Sequence, residues 1–206
     1  MLLENGSKLP FFYNKTQRMH RQSLLHQLDR HLADPTVTDP AEQAMTRQTL
    51  AFVTAQPACF ERTLLIGHVT GSAFIVSPDR QQTVLIHHRK LNRWFQPGGH
   101  ADGDPDIAGV ALREAQEETG LTRLTVVGMK AGEAPIFDVD VHPIPARGSE
   151  PAHLHYDIRY LIEADPAEPF GETDEIQGIR WFSLKEAEFI ADSPSITRML
   201  HKINKN

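Results

Sequence analysis

Residues 99–121 read GHADGDPDIAGVALREAQEETGL. A glycine pair ending in Gly99 leads into a run of aspartates, after which Ile107, Ala111 and Ala115 recur at helical spacing. The spacing predicts a helix over about 105–119, with Asp104 as N-cap, Pro105 in its first turn and Gly120 ending it. Glu114, Glu117 and Glu118 then fall at about 0°, 300° and 40° around the axis, one carboxylate-lined face. The small alanines opposite let the helix pack closely on a sheet. Like charges at this spacing destabilise an isolated helix, so a divalent cation is a natural compensator. Oxygen donors select a hard ion, Mg²⁺ or Mn²⁺. Arg113 is placed to pair with Glu117 one turn on. Three glutamates alone read equally well as a solvated acidic face. An EF-hand reading of DGDPD fails, because Ile107 stands where that loop needs glycine and Arg113 where it needs glutamate.

Working outward, the texture before the glycines is β. His68–Ser77, Thr83–His88 and Arg93–Gln96 read as strands, the first two separated by a turn at Ser77-Pro78-Asp79. Beyond Gly120, strands are expected near 123–128, 134–142, 153–163 and 179–182, and helices near 184–191 and 194–203. Upstream, residues 1–15 have no clear period and are expected to form a loose leader. Leu24, Leu25, Leu28 and Leu32 mark a helix over 16–33 that Asp34-Pro35 stops. Asp39-Pro40 caps and opens a second helix to about Ala55. The order predicts an α/β (α+β) fold with a mixed sheet. Residues 1–60 form a leader and two-helix extension, and residues 61–206 the main domain.

Composition narrows the classes. The chain of 206 residues, 40% hydrophobic and 23% charged, can bury a core. No apolar run approaches the roughly 20 residues of a membrane span, and MLLENGSKLPFFYNK lacks the apolar stretch of a signal peptide. With one cysteine, Cys59, an internal disulfide is excluded and a reducing, cytoplasmic compartment is expected. The formal charge of −6 is uneven: residues 1–60 carry six Lys/Arg against five Asp/Glu, and residues 61–206 carry fifteen against twenty-two. That acidic excess argues against a nucleic-acid polymer as partner and suits a cation site.

The stretch 99–121 resembles the Nudix signature: glycine, five residues, glutamate, seven residues, then R-E-U-x-E-E-x-G-U with U aliphatic. Gly99, Arg113, Glu114, Glu117, Glu118, Gly120 and Leu121 keep its spacing, Ala115 is a small U, and GIRWFSLKEA resembles a later segment of the family. The likeness covers about 65–195. Its first glutamate is Pro105 here, so Asp102, Asp104 or Asp106 would brace the loop instead. The resemblance implies a Nudix-type mixed sheet sandwiched between helices and metal-dependent hydrolysis of a small-molecule diphosphate, such as a nucleoside diphosphate derivative. It implies metal on Glu117, Glu118, Glu114 and the Gly99 carbonyl, proton transfer by Glu114, and orientation of the carboxylates by Arg113. Glu175 is a weaker candidate for a further ligand, and reads better as solvated surface.

Eleven histidines are many for this length. His20, His26, His31 and His201 lie on expected helices, His87 and His88 at a strand end, and His142 closes a strand before Pro143. Strand alternation puts His153 and His155 on one face, while His100 follows the glycine turn and His68 begins a strand. The isopentenyl-diphosphate isomerases, Nudix relatives, hold a metal with histidines at two such places and an acidic pair on a later strand. By that resemblance His68, His100, His153 and His155 form a second site, whose imidazoles favour Zn²⁺, Mn²⁺, Fe²⁺ or Ni²⁺. Phosphate contact is the competing reading of these histidines. The isomerases also need a cysteine at position 98, here Gly98, which disfavours isomerase chemistry. A non-catalytic ligand sensor is the other alternative, disfavoured by the retained glutamates. Trp94, Phe95 and Tyr156 are candidates to stack a base. The N-terminal helices are expected to cap the cleft or form a homodimer interface.

Overall fold

The structure, a computed structural model, describes residues 11–89, 92–171, 176–191 and 193–204. Its elements follow in the order α1 (Phe11–Ala33), α2 (Pro40–Ala55), β1 (Gly67–Val76), β2 (Gln82–His88), β3 (Arg93–Phe95), β4 (Gly98–His100) and α3 (Ile107–Thr119). Then come β5 (Thr125–Val126), β6 (Asp138–Ile144), β7 (His153–Glu163), β8 (Ile176–Ser183), α4 (Leu184–Ala191) and α5 (Pro194–Ile203). The first helix starts at Phe11, so it takes in part of the expected leader.

All eight strands belong to one mixed sheet. Its spine is β3-β2-β1-β7-β5, with β4 on β1, β6 on β7 and β8 on β2. Strands β1 and β7 run parallel over their whole length, His68 opposite His155 and Val76 opposite Glu163. The other pairings are antiparallel. Every residue of β1 is buried, as expected of a strand covered on both faces.

The two faces carry different cores. Val69, Ala73, Ile75, Tyr156, Ile158 and Tyr160 pack with Ile107, Ala111 and Ala115 of α3 and with Leu24, Leu28, Phe52 and Val53 of α1 and α2. Phe74, Val76 and Phe182 pack with Ala187 of α4 and Ile196, Met199 and Leu200 of α5. The sheet is therefore sandwiched between helices. The N-terminal helices share its core, and Phe52 stacks on Tyr156 with ring centroids 3.8 Å apart. Asp39 caps α2 as its sequence predicts, accepting from Glu42 N at 2.9 Å with Pro40 in the first turn.

One correction concerns α3. It begins two residues later than expected, at Ile107, with Asp106 as N-cap accepting from Gly109 N. Asp104 instead accepts from Asp106 N at 3.0 Å. Pro105 therefore precedes the helix. The C-terminal stop is as expected: Gly120 adopts φ +71°, and Gly171 crosses so close that a side chain on Gly120 would strike its backbone.

Candidate active site and histidine cluster

The glycine pair and the acidic helix meet directly. Strand β4 pairs with β1 in the register Ser72–Gly98, Gly71–Gly99 and Thr70–His100. Gly71 packs under Ile107 and Val110, and a methyl group on Gly99 would collide with the Glu114 carboxylate. Gly99 is thus the place where a strand has to lack a side chain for a carboxylate to lie against it. One helical turn on, Gly98 N donates to Glu118 Oε2 at 2.9 Å. Glu114 and Glu118 are half-buried and Glu117 is exposed. Arg113 lies 3.5 Å from Asp104 and 3.6 Å from Glu114. No ion pair with Glu117 occurs among the described residues, so the i+4 pairing expected for Arg113 gives way to bracing by Asp104. Asp102 is held by Arg62 instead. The side-chain donors along this face are all oxygens, a set that fits a hard divalent cation. Glu175 lies outside the described residues.

Side chains alternate along β4, so His100 points away from Gly99, to the opposite face of the sheet. There the pairing of three strands lines up polar rows. Ser72, Arg159 and Asp138 stand side by side, then Thr70, Asp157 and Asp140, then His68, His155 and His142. The first two rows satisfy each other. Asp157 accepts from Ser72 Oγ at 2.7 Å and Thr70 Oγ1 at 2.9 Å. Arg159 Nε donates to Asp157 at 2.7 Å, and its other nitrogens reach Asp138 and Asp140 at 3.3 and 3.2 Å. From α5, Arg198 donates twice to Asp138, at 2.9 and 2.8 Å, and Lys202 at 2.9 Å. Lys202 also reaches Glu42, which bonds His31 at 2.8 Å. Burial alone would raise the Asp138 carboxyl, but the Arg198 hydrogen bonds and the Arg159 and Lys202 charges hold it low. Asp140 is held low against burial by His142, Arg159 and Arg198.

The histidine row is not satisfied in this way. The His68 ring centroid lies 4.8–5.0 Å from those of His155, His153 and His100. His155 is 5.1 Å from His100 and 5.5 Å from His142. His68 and His153 are 1% and 7% exposed. Neither nitrogen of His68 makes a well-formed hydrogen bond, nor does Nε2 of His153 or of His155. Burial, then the neighbouring rings, pushes His68 from 6.5 to about 4 and His155 to about 2. Burial and Arg62 lower His100. Among the described residues, His68, His153 and His155 form the one group of three candidate ligands whose donor atoms all lie within 4.8 Å of one another. His100 stands beside that triad, and His142, read from sequence as a strand end, joins the cluster.

Other expectations change. Tyr156 is not free to stack a base, being 6% exposed with its face taken by Phe52. Trp94 meets Phe182 edge-on. Cys59 is fully buried and its thiol is pushed up to about 12, which removes it as an acid or nucleophile.

A glutamate-bearing helix packed against a glycine pair, beside a mixed sheet sandwiched between helices, defines the class of α/β domain. Residues 68–202 match the family described as NUDIX domain, and the chain belongs to that family. A curated relative, the CMP-5'-(N-acetyl-N-hydroxy-3-aminopropyl)phosphonate hydrolase of Streptomyces rubellomurinus, is 32% identical over 136 residues. The match covers 62% of this chain and 58% of that protein, so the chain spans less than two thirds of the relative's length. Among solved structures, a C. elegans Ap4A hydrolase binary complex is similar with a TM-score of 0.52 and 20% identity, over 66% of this chain and 95% of that one. The E. coli dihydroneopterin triphosphate pyrophosphohydrolase also gives 0.52, at 14% identity, over 67% and 96%. At these identities the likeness is one of fold. No helix among the described residues is long and apolar enough to cross a membrane.

Proposed function

We propose that the protein is a metal-dependent pyrophosphohydrolase that cleaves a diphosphate-type linkage in a nucleotide-linked small molecule. The observation that carries this reading is the fit of the Glu114 carboxylate against Gly99, with Glu118 held by the Gly98 amide one turn away. Glu117, Glu118, Glu114 and the Gly99 carbonyl would hold Mg²⁺ or Mn²⁺. Such an ion neutralises phosphate charge and lowers the pKa of a bound water. Glu114, half-buried and backed by Arg113, is the candidate to accept the water's proton. Arg113, tied to Asp104, fixes the direction of that carboxylate. The name of the Streptomyces relative supports a nucleoside monophosphate joined to a phosphoryl or phosphonyl group as the substrate class.

The test is a hydrolysis panel of nucleoside diphosphate derivatives and cytidylyl phosphonates with Mg²⁺ and Mn²⁺, read by chromatography of the nucleoside monophosphate released. Wild type should turn over at least one member, and Glu117→Gln should lose at least a hundredfold in kcat, about 2.7 kcal/mol of transition-state stabilisation. Equal, background-level release by both proteins across the panel would overturn the reading.

A further inference from the structure

We infer that His68, His153 and His155 hold a divalent transition-metal ion of the zinc, cobalt or nickel type, on the sheet face opposite the carboxylate helix. The inference does not depend on the hydrolase reading, because Gly99 and His100 project to opposite sides of β4. Four buried imidazole nitrogens on these three rings make no well-formed hydrogen bond, and one of the two on His68 lies near the Leu64 carbonyl. Each unsatisfied buried polar atom costs about 1–3 kcal/mol, and here one from each ring faces the other two instead of being scattered. One donor nitrogen from each of the three rings lies within 4.8 Å of the other two. Three nitrogens on one tetrahedral zinc lie about 3.3 Å apart, so closure needs only a small swing of each ring.

The surroundings prepare the ligands. His153 Nδ1 donates to the Pro151 carbonyl at 2.9 Å. That bond fixes the tautomer and leaves the Nε2 lone pair directed into the cluster, as an outer partner does for a metal-bound imidazole. Neutral imidazole is the ligating form. The nearest carboxylate, on Glu150, stays 3.8 Å from His153 Nε2 and is half exposed. A nitrogen-only triad prefers a borderline ion over Mg²⁺. His100 and His142 border the remaining side, where a fourth ligand would enter, and Asp140 holds His142 Nδ1 at 3.0 Å.

The decisive experiment titrates chelator-stripped full-length protein with Co²⁺ and then Zn²⁺, in excess Mg²⁺ to occupy the oxygen ligands. One Co²⁺ per chain should bind with visible ligand-field absorption, and Zn²⁺ should displace it. His68→Gln and His155→Gln should each weaken binding at least a hundredfold, and Glu117→Gln should leave it unchanged. Absence of stoichiometric binding, binding that survives both histidine substitutions, or equal loss in Glu117→Gln would overturn the inference. Should the histidine variants not fold, X-ray absorption of Zn²⁺-loaded wild type decides: three imidazole nitrogens support the site, and an oxygen-only shell sinks it.

Discussion

Two neighbouring sets of polar residues on one sheet face solve burial differently. The carboxylate and guanidinium rows, Ser72-Arg159-Asp138 and Thr70-Asp157-Asp140, close on themselves through hydrogen bonds and ion pairs, with Arg198 and Lys202 completing them from α5. His68, His155 and His153, one step along the same strands, present nitrogens to one another and leave four of them without a well-formed hydrogen bond, while His142 in that row is held by Asp140. A buried charge with its partners in place is a structural unit whose loss is costly. A buried cluster of like donors is complete only with something added. Burial by itself does not separate structure from site; the state of the partners does.

Removing a member of the satisfied rows should have the largest effect. Asp138→Ala removes the carboxylate that Arg159, Arg198 and Lys202 share, leaving each with its remaining partners, and urea denaturation should show a loss of about 3 kcal/mol. In metal-free protein, His155→Leu should cost less than about 1.5 kcal/mol, since it deletes an unmet nitrogen. Equal losses would erase the contrast.

Gly99→Ala should reach neither row, because the added methyl meets Glu114 on the other face. It should lower kcat/KM about a hundredfold through displacement of that carboxylate, with Co²⁺ binding at the histidines intact.

Acid should separate the two sets in pH. For metal-free protein, the folded-state values of His68 and His155 lie below the ordinary 6.5. The unfolded chain therefore binds more protons as pH falls below about 6.5, and stability declines from there, down to about pH 4 through His68 and about pH 2 through His155. Asp138 and Asp140 are held below 3.8, so their contribution is complete above about pH 4 and is lost only in stronger acid. Unfolding free energy measured against pH should begin to fall near pH 6.5 and fall more steeply below about pH 4, and His68→Gln should reduce the slope of the upper part. The smallest change is expected at the surface, where the Arg62–Asp102 pair is about half exposed. Arg62→Ala should cost at most about 1 kcal/mol by thermal denaturation.

The carboxylate site was legible because its parts are contiguous: one helix, its preceding glycines and its terminal Gly120 state themselves within 23 residues of sequence. The caps Asp39 and Pro40, and the alternation of His153 and His155, are equally local. What the sequence hid depends on register. His142 faces His155 only through the β6–β7 pairing, and a lone histidine before a proline carries no sign of that. The closed charge network was invisible for the same reason, since Lys202 and Glu42 are 160 positions apart. The N-cap of α3 was misplaced among three alternating aspartates, each chemically able to cap. Asp106 does so because Asp104 turns to the Asp106 amide and to Arg113.

The parallel pairing of β1 with β7 also sets an order in time. Thr70 and Asp157 are 87 residues apart, the same separation as His68 and His155, and a parallel pair cannot form by a simple hairpin. Such distant closures come late and slowly, whereas the contacts within a helix such as α3 are local. During synthesis the acidic segment emerges before His153 and His155 have left the ribosome. The histidine cluster therefore comes into being with the closing of the sheet, and any ion it accepts arrives at a chain that has nearly finished folding.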